Sequence, residues 1–211
     1  MDADAFLARV RSGLAGVAPA PLPDVHPQTP ASGDGRLFDR FAEELEKAGG
    51  TARWVSRQDL SAEVYEAAVE ASASTAVVSD DVAEFRERID RGLADAGCAA
   101  APVSREAAAS ADLGVTGGVV GVCSTGSVLL RATPASPRIA SLLPPAHVAI
   151  LHEAALVPGF EELFDVLGEQ LREANAAVLV TGPSRTTDIE LQLVRGVHGP
   201  KSMTALVVRE E

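Results

Sequence analysis

The densest run of chemically capable side chains is Thr181-Gly182-Pro183-Ser184-Arg185-Thr186-Thr187-Asp188-Ile189-Glu190, which directly follows the apolar segment AAVLV at 176–180. A strand that feeds small and hydroxyl-bearing residues into a helix presents free backbone N–H groups at a positive dipole end, an arrangement that holds anions. Arg185 adds a group able to grip a carboxylate or phosphate through two parallel hydrogen bonds. The same run also has a reading without a ligand. Thr187 and Glu190 stand at capping-box spacing, and Ser184 and Thr186 then serve the loop backbone. It is not a P-loop, because the GxxxxGK[ST] spacing and its lysine are missing. Next comes Gly196-Val197-His198-Gly199-Pro200-Lys201. A histidine held in a turn suits acid–base work, while the flanking Gly and Pro read equally as helix stop signals. His152 and Glu153 follow the segment HVAIL as a second base-and-carboxylate pair or as a solvated loop. The loop GGVVGVCSTGS at 117–127 reads either as a cradle for an anion or as bulges. Cys123 would need a nearby cation to become a nucleophile, and none is close in sequence. Neither HExxH, GxGxxG, a triad order nor His/carboxylate metal spacing occurs, so no tightly bound metal is expected.

The elements that must position these residues follow from periodicity. Phe6, Leu7, Val10 and Leu14 form one helical stripe over 3–14. Five prolines between 17 and 35 forbid regular structure there and make that stretch, His26 included, an extended linker. The division is therefore a helix at 1–16, a linker at 17–35 and an α/β domain at 36–211. Within that domain, helices are expected at 37–45, 60–72, 82–96, 104–111, 137–142, 160–174 and 187–195. Strands are expected at 51–56, 75–79, 147–151, 176–180 and 203–208, with a glycine-rich strand pair at 113–131. Strands alternating with helices of this length point to βαβ units around a mainly parallel sheet flanked by helices, and thus to function at the carboxyl ends of strands.

Composition narrows the classes. Against 18 Lys plus Arg stand 30 Asp plus Glu, a net charge of -12, and aromatics make up 4% of 211 residues. Nucleic-acid binding needs cations for phosphates and rings for stacking, so that partner is excluded. The longest uncharged stretch, 113–130, carries five glycines and four hydroxyl residues and reads as buried strands rather than a membrane span. Asp2 and Asp4 precede the first apolar residues, the reverse of a cationic signal peptide, so a cytoplasmic location is expected. Cys98 and Cys123 are too few for a disulfide framework or a cluster and read as buried small hydrophobes.

Three segments, STGSVLL (124–130), SLLPPAHVAIL (141–151) and above all TGPSRTTDIELQLVRGVHGP (181–200), resemble the LUD-domain family, specifically its lactate utilisation protein C group. The resemblance covers roughly 36–210 and is sharpest from 113 onward. It implies an α/β fold of the NagB/RpiA/CoA-transferase type. It also implies a cytoplasmic system that oxidises L-lactate to pyruvate with iron–sulfur partner proteins, the clusters sitting on the partners and no cofactor on this chain. Motif positions that match are Thr125, Gly126, Pro144, Gly182, Pro183, Ser184, Thr187, Asp188, Glu190, Gly196, His198, Gly199 and Pro200. Ser124 stands where many relatives carry an acidic residue, so a covalent glutamyl intermediate at that position lacks its carboxylate. The expected site is a cleft formed by 117–127, 181–188 and 196–200 that takes a small carboxylate, another anionic ligand or a partner's loop. Thr125, Gly126, Gly182, Pro183, Ser184, Arg185 and Thr187 would bind, and His198 and Asp188 would handle protons. Two rivals stay open: a stand-alone enzyme on a phosphorylated or CoA-linked substrate, and a non-catalytic assembly or regulatory subunit that grips a partner through its N-terminal arm.

Overall fold

The computed structural model describes residues 2–16, 37–170, 174–187 and 193–209. Helix α1 (Ala3–Leu14) forms as its stripe predicts, and none of its residues is buried. The expected linker at 17–35, with His26, lies outside the described residues, as do Asp188 and Glu190.

From Leu37 the chain alternates. Helix α2 (Leu37–Lys47), strand β1 (Thr51–Ser56), helix α3 (Leu60–Glu70) and strand β2 (Thr75–Val78) come first. A short 3-10 turn (Asp80–Phe85) then runs into helix α4 (Arg86–Asp95), strand β3 (Ala99–Pro102), helix α5 (Arg105–Ser110) and strand β4 (Leu113–Gly117). Strands β5 (Val120–Val122) and β6 (Ser127–Ala132) form a hairpin, followed by helix α6 (Ile139–Leu142), strand β7 (Ala146–His152), strand β8 (Leu156–Val157) and helix α7 (Phe160–Gln170). Strands β9 (Ala176–Val180), β10 (Arg185–Thr187), β11 (Leu193–Arg195) and β12 (Ser202–Arg209) complete the described chain.

The main sheet has six strands in the order β1-β12-β7-β4-β2-β3, all parallel. Its central strands read as continuous apolar runs because both faces are covered. Leu60, Val64, Ile89 and Leu93 of α3 and α4 pack one face against Val115, Val148, Ile150 and Leu206. On the other face lie Phe41 and Leu45 of α2 together with Val128, Leu130 and Leu156 of a second sheet. That sheet has four strands in the order β8-β5-β6-β9, and its far side receives Leu163 and Leu167 of α7.

Three expectations need correction. The glycine-rich stretch 113–131 holds three strands, not two: β4 joins the parallel sheet while β5 and β6 open the second one. AAVLV at 176–180 is a strand, but it pairs antiparallel with β6 instead of entering the parallel sheet. Residues 187–195 do not begin or end as a helix, for 185–187 and 193–195 pair as antiparallel β10 and β11. The β-branched Thr186, Thr187 and Val194 suit that ladder better than a helix. Thr187 itself is the last residue of β10, and the rest of the supposed capping box, with Glu190, lies outside the described residues.

His147 on β7 is 2% exposed, and its Nε2 lies 2.9 Å from Thr116 Oγ1 of β4. Burial pushes its imidazole down to about 4 from an ordinary 6.5, so it is neutral in the folded chain. Between those values the unfolded chain binds the extra proton. Stability is therefore intact above about pH 6.5 and falls as pH drops toward 4, by about 3 kcal/mol in all. Thermal unfolding followed from pH 7.5 to 4.5 is expected to show this loss, and His147→Gln to flatten it; an unchanged slope in the variant would contradict the assignment.

Candidate active site

The carboxyl ends of β2 and β4 are adjacent, yet the chain leaves them in opposite directions, β2 toward β3 and β4 toward β7. Such a switch point opens a crevice in a parallel sheet. A cleft of about 200 Å³ occupies it, lined by Asp81, Gly117, Gly118, Val119, Arg131, Thr133 and Ser136.

Each wall has a local cause. Beyond β2, Ser79 N–H donates to Val115 O at 3.0 Å, and the following 3-10 turn sets Asp81 against the end of β4. Asp81 Oδ1 accepts from the Gly117 amide at 3.1 Å and from the Ser79 hydroxyl. The Gly118 and Val119 amides donate to Ile150 O at 2.7 Å and Leu129 O at 2.8 Å. The glycine-rich turn thus spends its N–H groups on the protein and is no ready anion cradle. Positive charge comes instead from Arg131, which β6 of the second sheet delivers to the cleft. Thr133 and Ser136 close a tight turn, with the Ser136 amide 3.1 Å from Thr133 Oγ1. A separate, narrow cavity of about 10 Å³ shares Arg131 and Ser136 with it and is also lined by Thr116, Leu142 and Val178.

Along the same edge, Glu84 joins two further strand ends. Its carboxylate accepts from Arg57 Nη2 at 3.0 Å, just past β1, and lies 2.6 Å from Nε2 of His152, the last residue of β7. Partial burial raises the Glu84 carboxyl, but the bonds from His152 and Arg57 outweigh that and hold it below its ordinary value. The His152 ring packs 5.2 Å from Phe85, and the Arg57 guanidinium sits 4.9 Å over the same ring. The carboxylate partner of His152 is therefore Glu84, 68 positions away, rather than the adjacent Glu153.

The residues singled out at 125–126, 181–185 and 196–200 do come together, but around the C-terminal end of α2, at the amino edge of the main sheet. Gly126 (φ +63°) lies so close to α2 that a Cβ there would stand 2.1 Å from Leu45 N. Gly182 (φ +71°) meets the Ala48 carbonyl, 2.7 Å from where its Cβ would be. Arg185 Nη2 is 3.4 Å from Lys47 O, where a cation suits the negative helix end. Ser184 N–H donates to Pro200 O at 2.9 Å, and its own carbonyl accepts from Gly196 N–H at 3.0 Å. Pro183 is buried, and Thr187 lies in β10. Thr125 Oγ1, Ser127 Oγ and Thr181 Oγ1 form a hydroxyl chain with spacings of 2.7 and 2.6 Å. His198 is exposed and has no hydrogen-bond partner among the described residues. The expected joining of 117–119 to this cluster does not occur, since that turn lies at the opposite edge. Cys123 is buried, which pushes its thiol up to about 12 and leaves no thiolate. Among the described residues no group of three His, Cys, Asp or Glu is arranged to hold a metal ion.

Sequence reasoning missed Asp81 and Arg131. They are 50 positions apart, and the signal available was the switch in strand order, which needs the strand pairing to be known. The packing role of the amino-edge glycines is testable. Gly126→Ala and Gly182→Ala are each expected to cost about 2–4 kcal/mol in chemical denaturation, through backbone strain and collision with α2. His198→Ala should stay within about 0.5 kcal/mol of the parent, and equal stability of all three variants would refute that role.

A family model of the LUD domain matches residues 38–208. Lactate utilization protein C of Bacillus velezensis is 33% identical over 109 residues, 50% of this chain and 45% of that protein. The protein of the same name from Oceanobacillus iheyensis is 30% identical over 129 residues, 59% of this chain and 54% of that one. The chain thus spans about half the length of the curated relatives it matches. Among solved structures, a crystal structure of a DUF162 family protein from Deinococcus radiodurans superposes with a TM-score of 0.61 at 20% identity, covering 82% of this chain and 96% of that chain. That likeness concerns the fold: a parallel sheet flanked by helices. With nearly all of the α/β unit matched by the family model, the chain belongs to the LUD-domain family.

Proposed function

We propose that this chain serves in lactate utilisation, as a component of a cytoplasmic system that oxidises L-lactate to pyruvate together with iron–sulfur partner proteins. The name shared by the relatives supports the first part of that reading. The observation that carries its local chemistry is the cleft at the ends of β2 and β4, where Arg131 and Asp81 line one small space. Arg131 is the counter-charge for a short carboxylate. The Thr133 and Ser136 hydroxyls supply neutral hydrogen-bonding groups beside it. Electrons leave to clusters held by the partners, since two buried, separated cysteines cannot ligate one. In this reading the motif at 181–200 packs the amino edge, and His198 takes no chemical step.

A second role rests on α1. Phe6, Leu7, Val10 and Leu14 are 42–61% exposed, an apolar stripe that fits a partner protein. Deleting residues 1–35 would then cost complex formation while leaving ligand binding intact.

The test is binding and growth in parallel. L-lactate is expected to bind saturably by calorimetry, and Arg131→Ala to weaken it by about tenfold or more and abolish rescue of a deletion strain on L-lactate. His198→Ala should keep both. Stabilisation by CoA or a sugar phosphate, with no response to lactate or pyruvate, would overturn the reading in favour of an independent enzyme on those substrates.

A further inference from the structure

Asp81 is held in an asymmetric way. Its Oδ1 is committed twice, to the Gly117 amide at 3.1 Å and to the Ser79 hydroxyl. Its Oδ2 has no hydrogen-bond partner among the described residues, and the carboxylate lines the cleft that Arg131 also lines. Gly117 is what lets it lie there, because a Cβ at that position would stand 3.1 Å from both the carboxyl carbon and Oδ2. An ionised carboxylate accepts hydrogen bonds and donates none. A ligand whose own carboxylate pairs with Arg131 therefore meets, in the same cleft, an oxygen that accepts from a donor.

We propose that Asp81 is the specificity-determining residue of this cleft, selecting 2-hydroxy carboxylates over 2-oxo carboxylates. A C2 hydroxyl donates to Oδ2. A C2 carbonyl turns lone pairs toward it, and an unsubstituted C2 offers it no donor. The cleft thus favours the reduced member of a hydroxy/oxo acid pair, and the oxidised product is released by loss of the donor. This inference rests on the reading of the cleft as the ligand site.

The experiment measures dissociation constants for L-lactate, propionate and pyruvate on the full chain, in the parent, Asp81→Asn and Arg131→Ala. In the parent, affinity falls in that order, with lactate at least about tenfold tighter than pyruvate. In Asp81→Asn the amide carbonyl can keep the Gly117 and Ser79 bonds while the NH2 group donates into the cleft, so the lactate-to-pyruvate ratio drops to about one or inverts. Because the ratio is taken within one protein, a loss of folded fraction scales both ligands alike and leaves it unmoved. Equal binding of lactate and pyruvate by the parent, or an unchanged ratio in Asp81→Asn, overturns the role of Asp81 while the loss of binding in Arg131→Ala still upholds the cleft. If no three-carbon acid binds, or Arg131→Ala binds all three as well as the parent, the reading of the cleft fails and this inference with it.

Discussion

Phe41 and Leu45, both fully buried, fill the space between the parallel sheet and the sheet laid across its face. Each contributes about 2–3 kcal/mol through burial, but their larger effect is geometric. For the two sheets to share that layer, β6 must run the length of the main sheet, from the turn at Thr125 beside α2 to Arg131 beside the end of β4. The glycines at 118, 121 and 126 allow the approach, since a Cβ at any of them would press on Leu151, Leu156 or the Leu45 backbone. One contact layer therefore fixes both ends of the molecule. At one edge it seals α2 against the 181–200 motif, and at the other it carries a guanidinium to a crevice that otherwise holds the acidic Asp81.

The carboxyl edge is organised by acids from a single 3-10 turn. The turn is kinked at Val82, and Asp81 and Glu84, on either side of the kink, address different strand ends. Asp81 takes the end of β4, and Glu84 takes those of β7 and β1 through His152 and Arg57. Beneath them the neutral His147 and Thr116 occupy the sheet interior with their polar atoms paired.

Much of this was legible in the residues. The alternation of apolar runs and amphipathic stripes located β1, β2, β7 and β12 and the helices between them, and the parallel sheet followed. β3 escaped because Ala-Ala-Ala-Pro has neither β-branching nor alternation, and the strand exists through pairing with β2. The hairpin of β10 and β11 was read as a helix because Thr187, Glu190 and Leu193 happen to fall at helical spacing. For a related reason the cleft at Asp81 and Arg131 was not singled out. Glycine, proline and hydroxyl residues concentrate at 181–200, and that density marks a place where backbones touch as readily as one where a ligand binds. Asp81 and Arg131 stand in ordinary surroundings and acquire meaning only when two sheets bring them to one cleft.

The most direct measurement of where a ligand binds is a titration of the isotopically labelled chain with L-lactate, followed by the amide resonances of each residue. The account predicts saturable shifts at Gly117, Gly118, Arg131 and Ser136, with Gly182, Gly196 and His198 unmoved. Shifts confined to the 182–198 cluster, with the Gly117 and Arg131 signals unchanged, would contradict it.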